Sequence, residues 1–465
     1  MSEPNRGGMH TAIDEWRAFV GPPYRRFLGI GVGQATVSAL AGDGLTIPLL
    51  LTLGAHPAVA TAIGVLPFAF SSAQLLVPRL LRRFDGNLRG VTLMILAVGE
   101  TRGFVLAGLT ILTWAGFLPR PVAVIAIGAV MTMAGAATTI GGTNLLAWFG
   151  AILPDPERRF VAPRVMGLNL GLGAFLLLPV AVLVQIAQPT IGVLVYALVF
   201  IVAGVAGIAE LAVVRRLRRP GRVLVAERSI STASQLPSSP TGPTNEPMNE
   251  PMNEPTTAHP ASRPLDRFLR SIMVASFGAG LGPYLSIYAI SVLGLPPAFA
   301  IVLAALASAA SLVSATIVGG LLGRGSSSRT LRLSFLMRGG SMLLGLAAFP
   351  QNPLAGLVLC FVAILASAGA AAGTLSANER LMRLVPGPEL IQAQGRFVAG
   401  SAAGITIGQL TNATILTILP LGFPAFAILF TVSGLTRFVT AVQADVSDTW
   451  TSSTMAYRTE DLQDP

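Results

Sequence analysis

The chain has 465 residues, of which 52% are hydrophobic and only 11% are charged. Its mean hydropathy of +0.69 excludes an ordinary water-soluble enzyme, because charged residues make up about a quarter of soluble domains. The 31 basic residues exceed the 21 acidic ones by ten, and every basic residue is arginine. Without lysine the chain lacks a Walker A loop and cannot form a lysine Schiff base, which argues against a self-contained ATP pump.

Apolar runs long enough to cross a membrane recur along the whole chain. A spanning helix needs about 20 predominantly apolar residues, and twelve runs reach this length. The first six lie at 27–53, 57–80, 91–115, 122–149, 160–186 and 190–214. The second six lie at 268–293, 297–322, 331–349, 354–378, 393–418 and 423–444. We therefore predict an all-α integral membrane protein with twelve transmembrane helices.

The composition changes in the middle of the chain. Between residues 222 and 263 it becomes rich in Ser, Pro, Thr, Asn and Glu, with a repeated Asn-Glu-Pro, and such a segment cannot bury a core. We expect a disordered cytoplasmic linker, with a regulatory docking role as a less favoured alternative. The predicted parts are an N-terminal segment (1–26), a six-helix bundle (27–220), the linker (221–265), a second bundle (266–445) and a tail (446–465).

The arginines are concentrated in alternate loops. Arg82 and Arg83 lie in loop two-three, Arg158 in loop four-five, and Arg215 at the start of the linker. The positive-inside rule then places both termini in the cytoplasm of the plasma (inner) membrane, with the first helix retained as an anchor. Anionic lipid headgroups account for these arginines, so we expect membrane lipids and no nucleic acid as partners.

Residues that commonly bind metals or form disulfides are scarce. The chain has a single cysteine, Cys360, within an apolar run. The three histidines, His10, His56 and His259, have no metal-ligand spacing. We predict no metal, no cofactor and no enzymatic activity.

The two halves contain an internal repeat. Gly42 and Gly44 recur as Gly278 and Gly280, and Arg102 recurs as Arg338, all at an offset of 236 residues. The turn after the fourth span also recurs, since Pro154, Pro156, Glu157 and Arg164 match Pro386, Pro388, Glu389 and Arg396 at an offset of 232. A parallel duplication of a six-span unit explains both offsets.

Two parallel six-span halves, a long polar central loop and arginine-rich loops two-three and eight-nine resemble the major facilitator superfamily of secondary transporters. The superfamily's loop two-three signature falls on 78–86, which keeps Leu80 and Arg83 but has Pro78 and Arg82 at the glycine and acidic positions. Trp148 and the following loop resemble uncharacterised bacterial members. The resemblance implies two six-helix bundles, transport by alternating access and a monomer.

Four ionisable residues lie deep in the predicted spans, where each costs about 2.5–3.5 kcal/mol to insert. They are Asp43, Glu100, Arg102 and Arg338, and their charges cancel. Asp43 lies between two glycines and is the preferred partner of Arg102. One hypothesis is that Asp43, with Glu100, binds and releases protons, while Arg102 and Arg338 tune it or hold an anionic substrate. The alternative is a static ion pair that fixes helix packing.

The resemblance implies that spans one, four, seven and ten line a central cavity, and these spans carry polar side chains. The candidate cavity residues are Gln34, Thr139, Asn144, Tyr284, Tyr288 and Asn378. The repeated turn suggests a cytoplasmic gate made of Glu157, Arg164, Glu389 and Arg396, although a helix start followed by a membrane-surface arginine explains the same pattern.

We therefore predict a secondary active transporter of a small solute, coupled to protons or another ion. The alternative is a non-transporting protein of the same fold, acting in assembly, sensing or lipid handling. The sequence does not identify the substrate.

Overall fold

The computed structural model describes residues 17–76, 80, 83–84, 87–153, 155–217, 262–278, 282–322, 327–385 and 390–460. Throughout these residues the regular structure is helical, with no strand. Twelve helical spans cross the fold in the order that the apolar runs predict.

The first six spans form the N-terminal half. Span 1 has two helices, Arg25–Leu40 and Asp43–Thr52, and span 2 is Pro57–Ser71 extended by a 3-10 turn at Ser72–Leu76. Span 3 is also divided, into Leu88–Glu100 and Arg102–Trp114. Spans 4, 5 and 6 are the continuous helices Arg120–Ile152, Asp155–Ile191 and Leu194–Arg215.

The second six spans form the C-terminal half. Span 7 comprises Ser262–Phe277 and Gly282–Ser291, so it is divided like span 1. Spans 8 and 9 are Pro297–Leu322 and Ser327–Leu344, and spans 10, 11 and 12 are Ala355–Leu384, Leu390–Ile418 and Phe423–Glu460. Span 7 thus begins inside the predicted linker, and span 12 continues into the predicted tail. The linker from 221 to 261 lies outside the described residues.

Eight of the described helical segments are by themselves long and apolar enough to cross a membrane. The other four spans are shorter, divided or more polar, and span 9 carries three arginines, Arg329, Arg332 and Arg338. Their place among the apolar spans makes all twelve parts of one membrane-embedded bundle.

The most extensive contacts between the halves are those of span 5 with span 8 and of span 2 with span 11, and smaller contacts join span 1 to spans 7 and 8 and span 2 to span 7. A single apolar core joins both halves at the end that holds the turns at Gly54 and Gly294, where Leu50 of span 1 and Tyr288 of span 7 belong to the same cluster. At the other end, which we call the arginine-rich end because Arg25, Arg89 and Arg215 lie there, each half has its own core.

Glycines allow close helix approach both within and between the halves. Within the C-terminal half, Gly404 and Gly408 of span 11 face the Met273 and Phe277 carbonyls of span 7. Between the halves, Gly171 of span 5 meets Leu312 of span 8.

Candidate functional site

A cavity of about 110 Å³ lies between the two halves. Spans 1, 7, 8 and 10 enclose it, so both halves contribute to its wall. Its polar groups are the carboxylate of Asp43 and the hydroxyls of Ser286 and Ser367, and the rest of the wall is aliphatic or glycine. The lining residues are Asp43, Gly44, Ile47, Leu285, Ser286, Leu303, Ala304, Ala307, Ala363 and Ser367.

Asp43 reaches this cavity because span 1 is interrupted directly before it. The first helix ends at Leu40 and the second begins at Asp43, which places a carboxylate at a helix N-terminus, where the helix dipole favours negative charge. A Cβ at Gly42 would collide with the Ser38 carbonyl, and one at Gly44 would lie 2.9 Å from the Ala304 Cβ. Both flanking positions therefore require glycine in this packing.

The Arg102 side chain of span 3 forms hydrogen bonds to the backbone of span 1 at its interruption. Its Nε donates to the carbonyl of Ala41 at 3.0 Å, and its Nη2 donates to the carbonyl of Val37 at 3.2 Å. The side chain is 6% exposed. The guanidinium thus bonds to the Ala41 carbonyl at the helix end and shares the Val37 carbonyl with the Ala41 N–H. Asp43, its predicted partner, interacts with it only at longer range.

Two further carboxyl groups lie beside Arg102. Glu100 and Glu210 are 2% and 1% exposed, and the carboxyl group of Glu210 neighbours that of Glu100 and the amide of Gln34. Glu210 belongs to span 6 and was not among the predicted deep charges. The signal for it was an isolated acid within an apolar run, the same signal that identified Glu100.

The C-terminal half buries two arginines, one of them missed. Arg437 of span 12 is 1% exposed, and its Nη1 donates to the Arg338 carbonyl of span 9 at 3.3 Å. Ser433, one turn earlier, donates to the carbonyl of Gly278 at 2.6 Å, directly before the interruption in span 7. Six deep charges are therefore present, three acids and three arginines, where four were predicted.

Tyr284 and Tyr288, predicted to line the substrate cavity, are not in the wall of the cavity between the halves. Both are fully buried and belong to the apolar core shared by the halves. The Tyr284 hydroxyl donates to the Gln409 carbonyl at 3.2 Å, and the Tyr288 hydroxyl donates to the Ala348 carbonyl. Their i, i+4 spacing places them on one face, but that face packs against spans 9, 11 and 12.

The remaining predicted cavity residues lie outside the wall of this cavity. Gln34 lies beside Glu210, and Thr139 donates to the Gly135 carbonyl of its own helix at 2.9 Å. Asn144 is 3% exposed. Both Asn144 and Asn378 have a buried side-chain atom without a hydrogen-bond partner in the described part of the chain.

Three of the four predicted gate residues are among the described residues. Glu157 and Arg396 are exposed, Arg164 is half-buried, and Glu389 lies outside the described residues. The gate therefore stays a prediction. Among the described residues, no three His, Cys, Asp or Glu side chains are grouped to hold a metal ion.

No family model and no curated protein sequence matches the chain. Its fold, however, is similar to that of several solved membrane transporters. A bacterial homologue of the iron transporter ferroportin is 15% identical to this chain, and the match covers 91% of this chain in both of its solved states. The TM-score is 0.57 for the outward-facing state, with 99% of the homologue covered, and 0.62 for the inward-facing state, with 98% covered. A D-xylose-proton symporter has a TM-score of 0.65 at 13% identity, and the match covers 90% of this chain and 94% of the symporter.

Proposed function

We propose that the protein is a secondary transporter that moves a small solute across the membrane by alternating access, driven by protons or another ion. The observation that carries the proposal is the cavity between the halves, into which Asp43 projects from the interruption in span 1. A buried carboxylate that both halves enclose can bind a proton or a cation in one conformation and release it in another.

The packing of the halves supports alternating access. The halves share one core at the end opposite the arginine-rich end and have separate cores at the arginine-rich end. Two rigid bodies that are joined at one end can part at the other. The greater similarity to the inward-facing than to the outward-facing ferroportin homologue agrees with closure at the shared core.

The proposal includes an orientation and a location. We place the protein in the plasma (inner) membrane as a monomer, with both termini and the arginine-rich end in the cytoplasm, because basic residues stay on the cytoplasmic side. The cavity would then exchange solute with the cytoplasm in the conformation described here.

The first prediction concerns Asp43→Asn, which removes the charge and keeps the shape of the side chain. In proteoliposomes with an imposed proton gradient, tested against labelled sugars, amino acids, nucleosides and organic ions, we expect the wild type to accumulate at least one solute. Asp43→Asn should lose gradient-driven accumulation and keep exchange of solute at equal concentrations, because only coupling needs the ionisable group.

Asp266→Asn is the matched control, since Asp266 is an exposed carboxylate at the start of span 7. It should accumulate solute as the wild type does. Full gradient-driven accumulation by Asp43→Asn would overturn the coupling role, and a wild type that moves no solute of the panel under any gradient would contradict transport.

A further inference from the structure

The acids of the C-terminal half lie towards the ends of its spans, away from its two deep arginines. Between residues 267 and 444 the only acidic residues are Glu379 and Glu389. Glu379 lies near the end of span 10, about 15 Å along the helix from Gly369, which packs against Arg338, and Asp445 lies about 12 Å along span 12 from Arg437. Arg338 lies about 16 Å along its helix from Ser327, at 1.5 Å per residue. No acid of this half can therefore neutralise Arg338 and Arg437 at their depth.

The two arginines lie next to each other. Arg437 donates through Nη1 to the Arg338 carbonyl at 3.3 Å, and the guanidinium groups are close enough to repel. Among the described residues, the Nε of Arg437 is buried without a hydrogen-bond partner. Arg338 donates no hydrogen bond to any described group, although its side chain is only partly exposed.

The equivalent position in the N-terminal half has the opposite environment. Arg102 matches Arg338 in the repeat, and three carboxyl groups surround it, those of Glu100, Asp43 and Glu210. It also bonds to the carbonyls at the interruption of span 1. At the interruption of span 7 the Gly278 carbonyl is instead bonded to Ser433. Span 12 thus supplies a second cation where span 6 supplies an acid.

A buried charge without a counter-charge costs several kcal/mol, and two adjacent cations add repulsion. Since the half has no acid to supply the counter-charge, we propose that Arg338 and Arg437 bind a small oxyanion, a carboxylate or phosphate group, between spans 7, 9 and 12. Two guanidinium groups provide planar, charge-assisted donors that match such a group.

Two glycines let the arginine side chains fit between the helices. A Cβ at Gly278 would lie 3.3 Å from the Nε of Arg437, and one at Gly369 of span 10 would lie 2.7 Å from Cγ of Arg338. Glycine at both positions leaves room for the two side chains, and the partly exposed Arg338 gives the anion access. The proposal rests on the proposed function only in treating the anion as a solute of the transporter, since binding itself requires no transport.

The test measures thermal unfolding of the delipidated full-length protein at constant ionic strength, in chloride, phosphate and succinate. We expect phosphate or succinate to raise the Tm above its value in chloride, with saturation. Arg338→Gln and Arg437→Gln should weaken the apparent affinity by about tenfold or more, as expected for losing one charged hydrogen-bonding group. Arg329→Gln, an exposed position on the same helix as Arg338, should bind like the wild type.

A second measurement separates binding from a purely structural role. In chloride, Arg338→Gln should unfold at the wild-type temperature or above it, because one of two repelling cations is gone; a structural arginine would instead lower the Tm in every buffer. Nanodiscs of neutral lipid, with and without anionic phosphatidylglycerol, distinguish the source of the anion. Protection by phosphatidylglycerol that is lost in Arg338→Gln would assign the site to a lipid phosphate, and protection by succinate to a soluble anion.

Absence of any oxyanion-specific or anionic-lipid-specific rise in the wild-type Tm would overturn the proposal whether or not the variants fold. The unfolding measurements do not depend on solute flux. The oxyanion proposal can therefore be rejected while Asp43-dependent accumulation is observed, and it can be supported when no accumulation is observed.

Discussion

Arg102 shows how one side chain can maintain an irregular backbone inside a membrane. A carbonyl released by the interruption of span 1 has no water to bond to, and each unsatisfied group in hydrocarbon costs several kcal/mol. The Arg102 guanidinium donates to the Ala41 carbonyl and adds a second bond to the Val37 carbonyl, which also accepts the Ala41 N–H. The surrounding carboxyl groups offset the charge of Arg102. The cation and the interruption therefore depend on each other.

This dependence predicts the effect of Arg102→Gln. The glutamine cannot reach both carbonyls and leaves three carboxyl groups without their cation. We therefore expect the free energy of unfolding to fall by about 3–5 kcal/mol, the usual cost of removing one partner of a buried ion pair. Chemical denaturation in mild detergent measures this free energy. Arg120→Gln, at an exposed helix start, should change it little, and a comparable loss there would contradict the specific role of Arg102.

At the residue scale, the sequence shows which ionisable side chains lie deep in a span better than it shows which groups they bond to. An isolated acid or arginine within an apolar run is visible without a structure, which is how Asp43 and Arg338 were found. Glu210 and Arg437 were missed, although each is likewise an isolated charge within a strongly apolar span. The bonding of Arg102 to carbonyls could not be predicted, since it depends on an interruption that the apolar run does not display.

Span pairs within each half cross at paired glycines. A Cβ at Gly103 of span 3 would lie 2.9 Å from Cα of Gly204 in span 6, and one at Gly339 of span 9 would lie 3.1 Å from the Gly434 carbonyl oxygen in span 12. The same crossing is therefore built twice, as the internal repeat implies. Small residues let the backbones approach, which is a principal source of helix association in lipid.

The crossing predicts that Gly103→Val destabilises the N-terminal half. Its side chain would meet the backbone of span 6, which cannot rotate away as a side chain can, so we expect a loss of about 1–3 kcal/mol from overpacking. Gly108→Val on the same helix is the control, because nothing lies within 4 Å of a Cβ there. Equal Tm values for the two variants in a thermal-unfolding assay would rule out the tight crossing.

Among the elements, the number and order of spans could be predicted and their interruptions could not. Twenty apolar residues suffice to define a span, but Gly42 and Gly44 also fit an unbroken helix, and only contacts with Ser38 and Ala304 distinguish the two. Tyr284 and Tyr288 show the same limit. Helical spacing places them on one face, and it does not indicate whether that face meets a cavity or the core.

Across the whole molecule, the six deep charges balance only when both halves are counted. The N-terminal half holds three deep carboxyl groups with one arginine, and the C-terminal half holds two deep arginines, among which Asp43 and Arg338 are partly exposed. The surface charge is distributed differently, since the arginine-rich end collects basic residues from both halves. The net charge of +10 therefore reflects membrane orientation, whereas the separation of deep charge between halves bears on the ligands.

Orientation predicts opposite accessibility for the two ends of span 3. Phe84 lies in loop two-three at the arginine-rich end, and Phe117 lies in the loop after span 3, with 42% and 81% of their surfaces exposed. With Cys360 replaced by alanine, each phenylalanine can be changed to the only cysteine of the chain. A membrane-impermeant maleimide should then label Phe117→Cys in intact cells and Phe84→Cys only after permeabilisation, because arginine-rich loops stay in the cytoplasm. The reverse labelling pattern would show that the arginine-rich end lies outside the cell. The cavity would then open to the outside in this conformation.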